Sequence, residues 1–271
     1  MDMFSLKGKI AVVTGALGLI GKQHCYALAE AGAHVVVTDR DEELCEAFAE
    51  EVNSVSVVEA FGIGSDITER DSLLGLRRTV LEKFGGIDIL VNNAAINDMF
   101  EHPSAAAEQS KFENYPLELW QKSFDVNITG MFLCSQILGS EMAEQRGGSI
   151  INIASTYALV APDQSLYQKP DGTQPFFKSP AYPATKGAVI AFTKYLAAYW
   201  GYTGVRVNAL CPGGVRNGQE EYFIRKYSAR TPLGRMAEPT DYRGALVFLA
   251  SDASKYMTGS SVVVDGGWTI W

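Results

Sequence analysis

Cysteine and histidine are scarce in this chain. Its four cysteines, Cys25, Cys45, Cys134 and Cys211, stand far apart without a C-x-x-C pair, and the three histidines, His24, His34 and His102, complete no metal-ligand spacing. This argues against a disulfide framework and against a bound metal. Positive charge is short as well: 23 Lys and Arg stand against 31 Asp and Glu, a net charge of −8. That balance opposes a phosphate-backbone partner such as nucleic acid, yet leaves room for a local basic pocket. No segment approaches the ~20 apolar residues of a membrane span. The opening stretch MDMFSLKGKIAVVTG has neither a charged leader with an apolar run nor a small-residue cleavage site. Internal repeats, low-complexity tracts and Pro/Gly/Ser linkers are missing too. Together these absences set the expectation of a reduced, metal-free, cytoplasmic protein, one large domain over residues 1–271 touching neither nucleic acid nor membrane.

What the chain does have is a core. Hydrophobic residues make up 47% of it, arranged as short Val/Ile-rich runs between longer helical patterns. The runs fall at residues 10–14, 34–38, 56–61, 87–91, 149–153, 205–210 and 261–264. The helical patterns fall at 19–31, 41–52, 70–84, 117–144, 182–202 and 240–251. Continuous apolar strands separated by helices predict a doubly wound α/β fold, with a seven-stranded parallel sheet covered on both faces. Three long connections, near 96–116, 156–181 and 213–238, follow strands. They should emerge at the carboxyl edge of the sheet, where ligands bind in such folds.

Thr14-Gly15-Ala16-Leu17-Gly18-Leu19-Ile20-Gly21 joins the first strand to the first helix. Glycines let a backbone turn tightly against a pyrophosphate, and the helix N-terminus offers free N–H groups and a positive dipole end. Asp39 stands 18 residues beyond Gly21, at the end of the second strand. A carboxylate there accepts hydrogen bonds from an adenosine ribose and repels a 2′-phosphate, which favours NAD over NADP. Two alternatives stay open: Asp39 as the N-cap of the next helix, and Arg40 as a cation tolerating a 2′-phosphate.

Tyr182-Pro183-Ala184-Thr185-Lys186 sets a phenol and an ammonium four residues apart on one helix face. A free phenol titrates near pH ~10, and a fixed cation beside it lowers that value toward useful proton exchange. With this pair stand Asp66-Ile67, Asn92-Asn93-Ala94-Ala95, Asn127, Ile153-Ala154-Ser155, Asn208, Pro212-Gly213 and Val264-Asp265-Gly266-Gly267, in that order. The chain resembles the short-chain dehydrogenase/reductase family over nearly its whole length. The resemblance implies a Rossmann-like domain that moves a hydride between a nicotinamide and a secondary alcohol or ketone.

Carried over residue by residue, the resemblance makes Tyr182 the general acid/base and Ser155 the partner that orients the reacting oxygen. Lys186 would lower the phenol pKa and hold the nicotinamide ribose, and Asn127 would use a bent helix to fix a proton-relay water. The cofactor would be held by Gly15, Leu17, Gly18, Ile20, Gly21, Asp39, Asp66, Ile67, Asn93, Ala94, Tyr182, Lys186, Pro212, Gly213 and Val215. The family commonly pairs its long central helices into dimers of dimers, so a homotetramer is implied, with residues 268–271 adding contacts.

The chain also departs from the family pattern. Its turn reads TGxxGxxG rather than TGxxxGxG, with Leu19 where a glycine is usual. Asn-Asn-Ala-Gly ends in Ala95, and no threonine follows Pro212-Gly213 at the usual spacing, which leaves Asn217 or Gln219 for that contact. Ser155 and Tyr182 lie 27 residues apart, roughly double the family's common interval. The extra segment, residues 161–180, and the extended loop through His102, Lys111 and Tyr115 should flank the substrate cleft. Aromatic rings interleaved with hydrogen-bonding side chains suit a polyhydroxylated small molecule. A contact between subunits is the alternative use of the insertions. This pair of insertions, with "ALVAPD" and "PGGV…NGQ", resembles oxidoreductases of bacterial surface-polysaccharide and flagellin-glycosylation pathways. Sugars, sugar derivatives and polyols are the expected substrates, apolar ketones and acyl thioesters the rivals, and a cofactor-binding protein without catalysis the other class.

Overall fold

The computed structural model describes residues 3–97 and 107–271. Seven strands form one all-parallel sheet in the order β3-β2-β1-β4-β5-β6-β7: β1 (Ile10–Thr14), β2 (His34–Asp39), β3 (Ala60–Gly64), β4 (Ile89–Asn92), β5 (Gly148–Ile153), β6 (Val205–Pro212) and β7 (Ser261–Val264). Alternation along the strands splits the core between the two faces. Val13, Val35, Val37 and Val91 pack with α1 (Leu19–Glu30), α2 (Glu42–Val55) and α7 (Arg243–Ala250). Val12, Val36, Leu90 and Ile150 pack with α3 (Arg70–Phe84), the long α4 (117–144) and α5 (Ala181–Trp200). The sheet is the doubly wound one expected, with its helices on both faces.

The order of strands reverses between β1 and β4, which pair directly as Ala11↔Ile89, Val12↔Leu90 and Val13↔Val91. Segments far apart in sequence therefore end side by side, and the crevice beyond their carboxyl ends is where such sheets take ligands.

Several elements differ from the sequence expectation, most of them by two or three residues at an end. The third strand runs Ala60–Gly64 rather than 56–61, because α2 continues to Val55 and the Ser56 hydroxyl closes it on the Val52 carbonyl at 2.8 Å. The strand then passes through Gly62 and Gly64, usually breakers. A Cβ at Gly62 would come within 2.3 Å of the Cys45 backbone, so α2 lies too close for any side chain there. The helix over 117–144 contains two π-helical stretches, Asp125–Gly130 and Ser135–Gly139. The connection 213–238 holds a helix of its own, α6 (Glu221–Arg230).

Candidate active site

The turn after β1 is built by close approach. Gly15 has φ +61, and a Cβ there would stand 2.6 Å from the Ala94 Cα; at Gly21 it would stand 2.2 Å from the Gly15 carbonyl oxygen. Only glycine fits either position without moving backbone. Asn93 fastens the turn from the other side of the switch point, donating from Nδ2 to the Thr14 and Gly15 carbonyls at 3.0 and 2.8 Å. The Thr14 hydroxyl accepts from the Asn93 and Ala94 N–H groups. Gly18 is the N-cap of α1 and has no side chain to close it, so the helix start is open toward the cavity.

Asp39 ends β2 and lines the same cavity. Its carboxylate accepts from the Leu17 N–H at 3.3 Å and the Arg40 N–H at 2.8 Å. The N-cap role belongs to Asp41, whose side chain accepts from the Leu44 N–H at 3.0 Å, so that alternative for Asp39 is removed. Asp66 is held by Thr68 at 2.9 and 2.7 Å. Ile67, largely buried, lies against the π stretch of α4, where a Cβ on Gly130 would meet it at 2.6 Å.

One cavity of about 950 Å³ runs from the glycine turn past Asp39 and Asp66 to Ser155, Tyr182, Lys186, Pro212, Gly213 and Val215. It thus collects the sequence-selected residues Gly15, Gly18, Ile20, Gly21, Asn93 and Ala94 as well. Leu17 meets it through the Asp39 contact, and Asn127 lies behind its wall.

Ser155 follows β5, and Tyr182 and Lys186 ride the first turn and a half of α5. The Lys186 Nζ donates to the Ile153 carbonyl at 2.7 Å, with its side chain 3% exposed. Burial pulls this ammonium down to about 8. The Tyr182 phenol moves up from its ordinary value, pushed by burial and partly opposed by its hydrogen bond with Ser155. The expected lowering by Lys186 is therefore not what this chain alone produces: the ammonium lies 5.7 Å from the ring centroid and is turned to Ile153.

Asn127 sits in the first π stretch, 1% exposed. Its side chain accepts from the Ile96 N–H at 2.7 Å and donates to the Ile96 carbonyl and the Thr185 hydroxyl, both at 3.1 Å. Thr185 in turn donates to the Tyr182 carbonyl. The amide thus staples the loop after β4 to α5, and it does so from a π-helical stretch, where the backbone ladder is loosened.

The insertion after Ser155 folds back on its own chain. Leu166 and Tyr167 pack with Phe223 and Tyr227 of α6, Met236 and Trp268. Asp163 pairs with Arg230, and Lys226 donates to the Ser165 and Gln168 carbonyls. Tyr157, Tyr167 and Lys178 from this segment face the cavity, joined by Phe223 and Tyr227 of α6. The α6 residues were missed in the sequence, although Phe223 and Tyr227 at i, i+4 carried a helical signal. His102 and residues 98–106 of the other extended loop lie outside the described residues; Lys111 pairs with Glu108 on the surface, and the Tyr115 hydroxyl meets Ser179 at 3.2 Å.

A doubly wound sheet with a glycine turn, a strand-end carboxylate and a Ser-Tyr-Lys group lining one cavity at the carboxyl edge of its strands defines a dinucleotide-dependent oxidoreductase. The comparisons agree. The profile of the family described as enoyl-(acyl carrier protein) reductase matches residues 15–269. The D-threitol dehydrogenase of Mycolicibacterium smegmatis is 35% identical over 98% of this chain and 95% of its own. The galactitol 2-dehydrogenase (L-tagatose-forming) of Cereibacter sphaeroides is 32% identical over 99% and 98%. Among solved structures, a gluconate 5-dehydrogenase from Burkholderia cenocepacia in complex with NADP and tartrate superposes with a TM-score of 0.87 at 30% identity, covering 100% of this chain and 98% of that one. The chain belongs to the short-chain dehydrogenase/reductase family, and it is a nicotinamide-dependent oxidoreductase acting on the CH–OH group.

Proposed function

We propose that this protein oxidises a secondary alcohol of a polyhydroxylated small molecule, a polyol, sugar or sugar derivative, with NAD as its cofactor. The observation that carries the substrate reading is the half of the cavity beyond Ser155. Tyr157, Tyr167, Tyr227, Asn217 and Gln219 line it, pairing aromatic faces with hydroxyl and amide groups. Such a wall meets both the C–H faces and the hydroxyls of a sugar-like chain. The names of the threitol and galactitol relatives point the same way.

The residues present fit a dinucleotide. Gly15 and Gly21 leave room that a Cβ would fill, the open start of α1 suits the pyrophosphate, and Asp39 would take the adenosine ribose. Asp66 and Ile67 would border the adenine, Asn93 and Ala94 the ribose wall, and Pro212, Gly213 and Val215 the nicotinamide. The chemistry a bound nicotinamide supplies is two-electron hydride exchange with the carbinol carbon. During alcohol oxidation the Tyr182 phenolate oxygen takes the hydroxyl proton while the Ser155 hydroxyl holds the same oxygen. Lys186, four residues along the same face, stabilises negative charge on the phenol when its ammonium turns from Ile153 toward the cleft. Asn127 keeps the loop after β4 and the first turn of α5 in fixed relation.

A solved relative holds NADP, so discrimination rests on this chain's own Asp39. Arg40 gives its N–H to Asp39 and carries an exposed side chain. We also place the protein in the cytoplasm as a homotetramer. Tyr195 and Tyr199 stack at 6.0 Å on α5 while 62% and 56% exposed, and Phe132 of α4, exposed as well, lies 6.3 Å from Phe192 of α5; light scattering should return four copies.

The test is cofactor reduction by the full chain against alditols, aldonates and aldoses on one side, and steroids and aliphatic alcohols on the other, with NAD and NADP in parallel. The expected result is turnover confined to the polyhydroxylated set. kcat/KM with NAD should exceed that with NADP by at least about 10-fold, equivalent to ~1.4 kcal/mol. Preference for the apolar set overturns the substrate reading, and equal use of both cofactors overturns the assignment to Asp39.

A further inference from the structure

Two tyrosines press on the glycines that follow β6. The Tyr242 hydroxyl donates to the Gly213 carbonyl at 3.1 Å, and the Tyr227 hydroxyl accepts from the Gly214 N–H at 2.6 Å. A Cβ on Gly214 would stand 2.5 Å from Cζ of Tyr227, so only glycine lets the ring come this near. The same ring lies flat on Trp268, with 4.1 Å between centroids and 6° between planes. Tyr227 is thus fixed at its face and at its tip, yet the mechanism described above gives it no part.

The two hydroxyls differ in what they do with their protons. A phenol gives one hydrogen bond and can accept others. Tyr242 gives its proton to Gly213. Tyr227 only accepts: among the described residues no hydrogen bond spends its proton, although the residue is buried and lines the cavity. Burial raises this phenol well above its ordinary value, opposed by the Gly214 N–H and assisted by Tyr157, so at neutral pH the proton stays on the oxygen. A buried donor that meets no acceptor costs free energy, and an occupant of the cavity can supply one. The surroundings say which occupant. Tyr227 packs with Tyr167, Phe223, Met236 and Trp268, on the half of the cavity assigned above to the substrate. Besides burial, Tyr157 raises the phenols of both Tyr182 and Tyr227, so it neighbours the reacting phenol and the unspent proton alike. Gln219, expected from the sequence to offer a polar contact here, is used within its own loop. Its Oε1 accepts from the Asn217 N–H at 2.7 Å, and its Nε2 donates to the Val215 carbonyl at 2.8 Å.

We propose that Tyr227 is a specificity-determining residue whose hydroxyl donates to a second oxygen of the substrate, one that takes no part in hydride transfer. The preferred substrate then carries a hydroxyl or ether oxygen at one fixed place along its chain, and an alcohol lacking that oxygen is a poor substrate. This deepens the polyol reading above and rests on it. Because the ring is stacked on Trp268 and its oxygen is tied to Gly214, the donor cannot follow the acceptor, so the position of that oxygen is what the site reads.

The experiment is a deoxygenation scan. The best polyol or sugar of the substrate panel is compared with its monodeoxy analogues, each lacking one hydroxyl other than the reacting one. All are tested on the natural chain and on Tyr227→Phe, which keeps the ring on Trp268; melting curves confirm the fold. In the natural chain one analogue should lose at least about 10-fold in kcat/KM, the scale of a buried donor left without its acceptor. Tyr227→Phe should lose a similar factor on the parent compound and less than about threefold on that analogue, the two losses being one interaction counted twice. The other analogues should keep the full loss. A natural chain indifferent to every deoxygenation overturns the proposal. So does an equal loss on the parent and on every analogue, which would make Tyr227 a support for Gly214, or a donor to the cofactor if NADH affinity falls by the same factor. Without turnover of any polyhydroxylated compound the polyol reading itself falls. Calorimetric titration of the NADH-loaded chain with the same sugars and analogues then decides the inference: a loss of affinity on deoxygenation that vanishes in Tyr227→Phe upholds it, and its absence rejects it.

Discussion

Tyr182, the proposed general acid/base, is caught between opposing influences on its phenol. Burial raises its phenol, the Ser155 hydroxyl lowers it, and Tyr157 raises it again. In the chain by itself the phenol therefore stays protonated at neutral pH, the form that donates to a ketone; alcohol oxidation needs the phenolate. Oxidation by the free enzyme should accordingly strengthen as pH rises, and reduction as it falls. A difference absorbance titration between the natural chain and Tyr182→Phe should show the Tyr182 phenolate growing in only above pH ~10, the ordinary phenol value. A phenolate already present at neutral pH would mean that Lys186 outweighs burial. In the same variant kcat should drop ~100-fold or more, the usual loss for a general acid/base, with NADH still bound. A variant retaining over half its activity removes Tyr182 from the mechanism.

At the scale of elements, the sequence was most readable where one period ran uninterrupted. β1, β2, α1 and α3 fall within a residue or so of their expected spans, because unbroken Val-rich runs and 3.6-residue spacing leave little ambiguity. Local cues failed where a distant neighbour decided the matter. The glycines of β3 look like a turn until α2 is seen pressed against Gly62, and α6 hides between a glycine-rich stretch and Thr231-Pro232. The residues of the site were legible as a constellation, yet their couplings were not. Nothing in the linear order shows that Asn127 grips Ile96 and Thr185, or that Gln164 holds Lys178. The insertion illustrates the gain: it packs on α6 and Trp268, and its Tyr167 and Lys178 line the cavity. Deleting it would uncover Phe223, Tyr227 and Trp268, so a milder change is more informative. Gln164→Ala should loosen the segment that carries Lys178 and raise substrate KM about 5-fold or more. NADH affinity, set at the other end of the cavity, should stay within about threefold, under ~0.7 kcal/mol. An unchanged KM would detach the insertion from substrate binding.

For the molecule as a whole, the stability limit on the acid side should trace to one side chain. His24 lies in α1 with no exposure, and neither ring nitrogen has a hydrogen-bond partner among the described residues. It packs in the helix layer over β1 and β2, where a neutral imidazole is tolerated and a charged one is not. Burial accordingly lowers it from 6.5 to about 4. In the unfolded chain the ring binds a proton near 6.5, and in the folded chain only near 4, so between those values the unfolded state holds more protons. Its contribution is thus complete above pH 6.5, declines as the pH falls, and is gone by about pH 4. At ~1.4 kcal/mol per pKa unit the loss comes to roughly 3 kcal/mol, or several degrees of Tm in a chain of this size. Carboxylates add their own acid sensitivity lower down, which is why the comparison has to be made against a variant. His24→Leu fills the apolar site without a titrating group, and its Tm should change little between pH 7 and 5 while the natural chain loses ground over the same interval. Parallel curves for the two proteins would show that His24 finds a way to carry its proton in the folded state, by exposure of α1 or by a partner gained on opening.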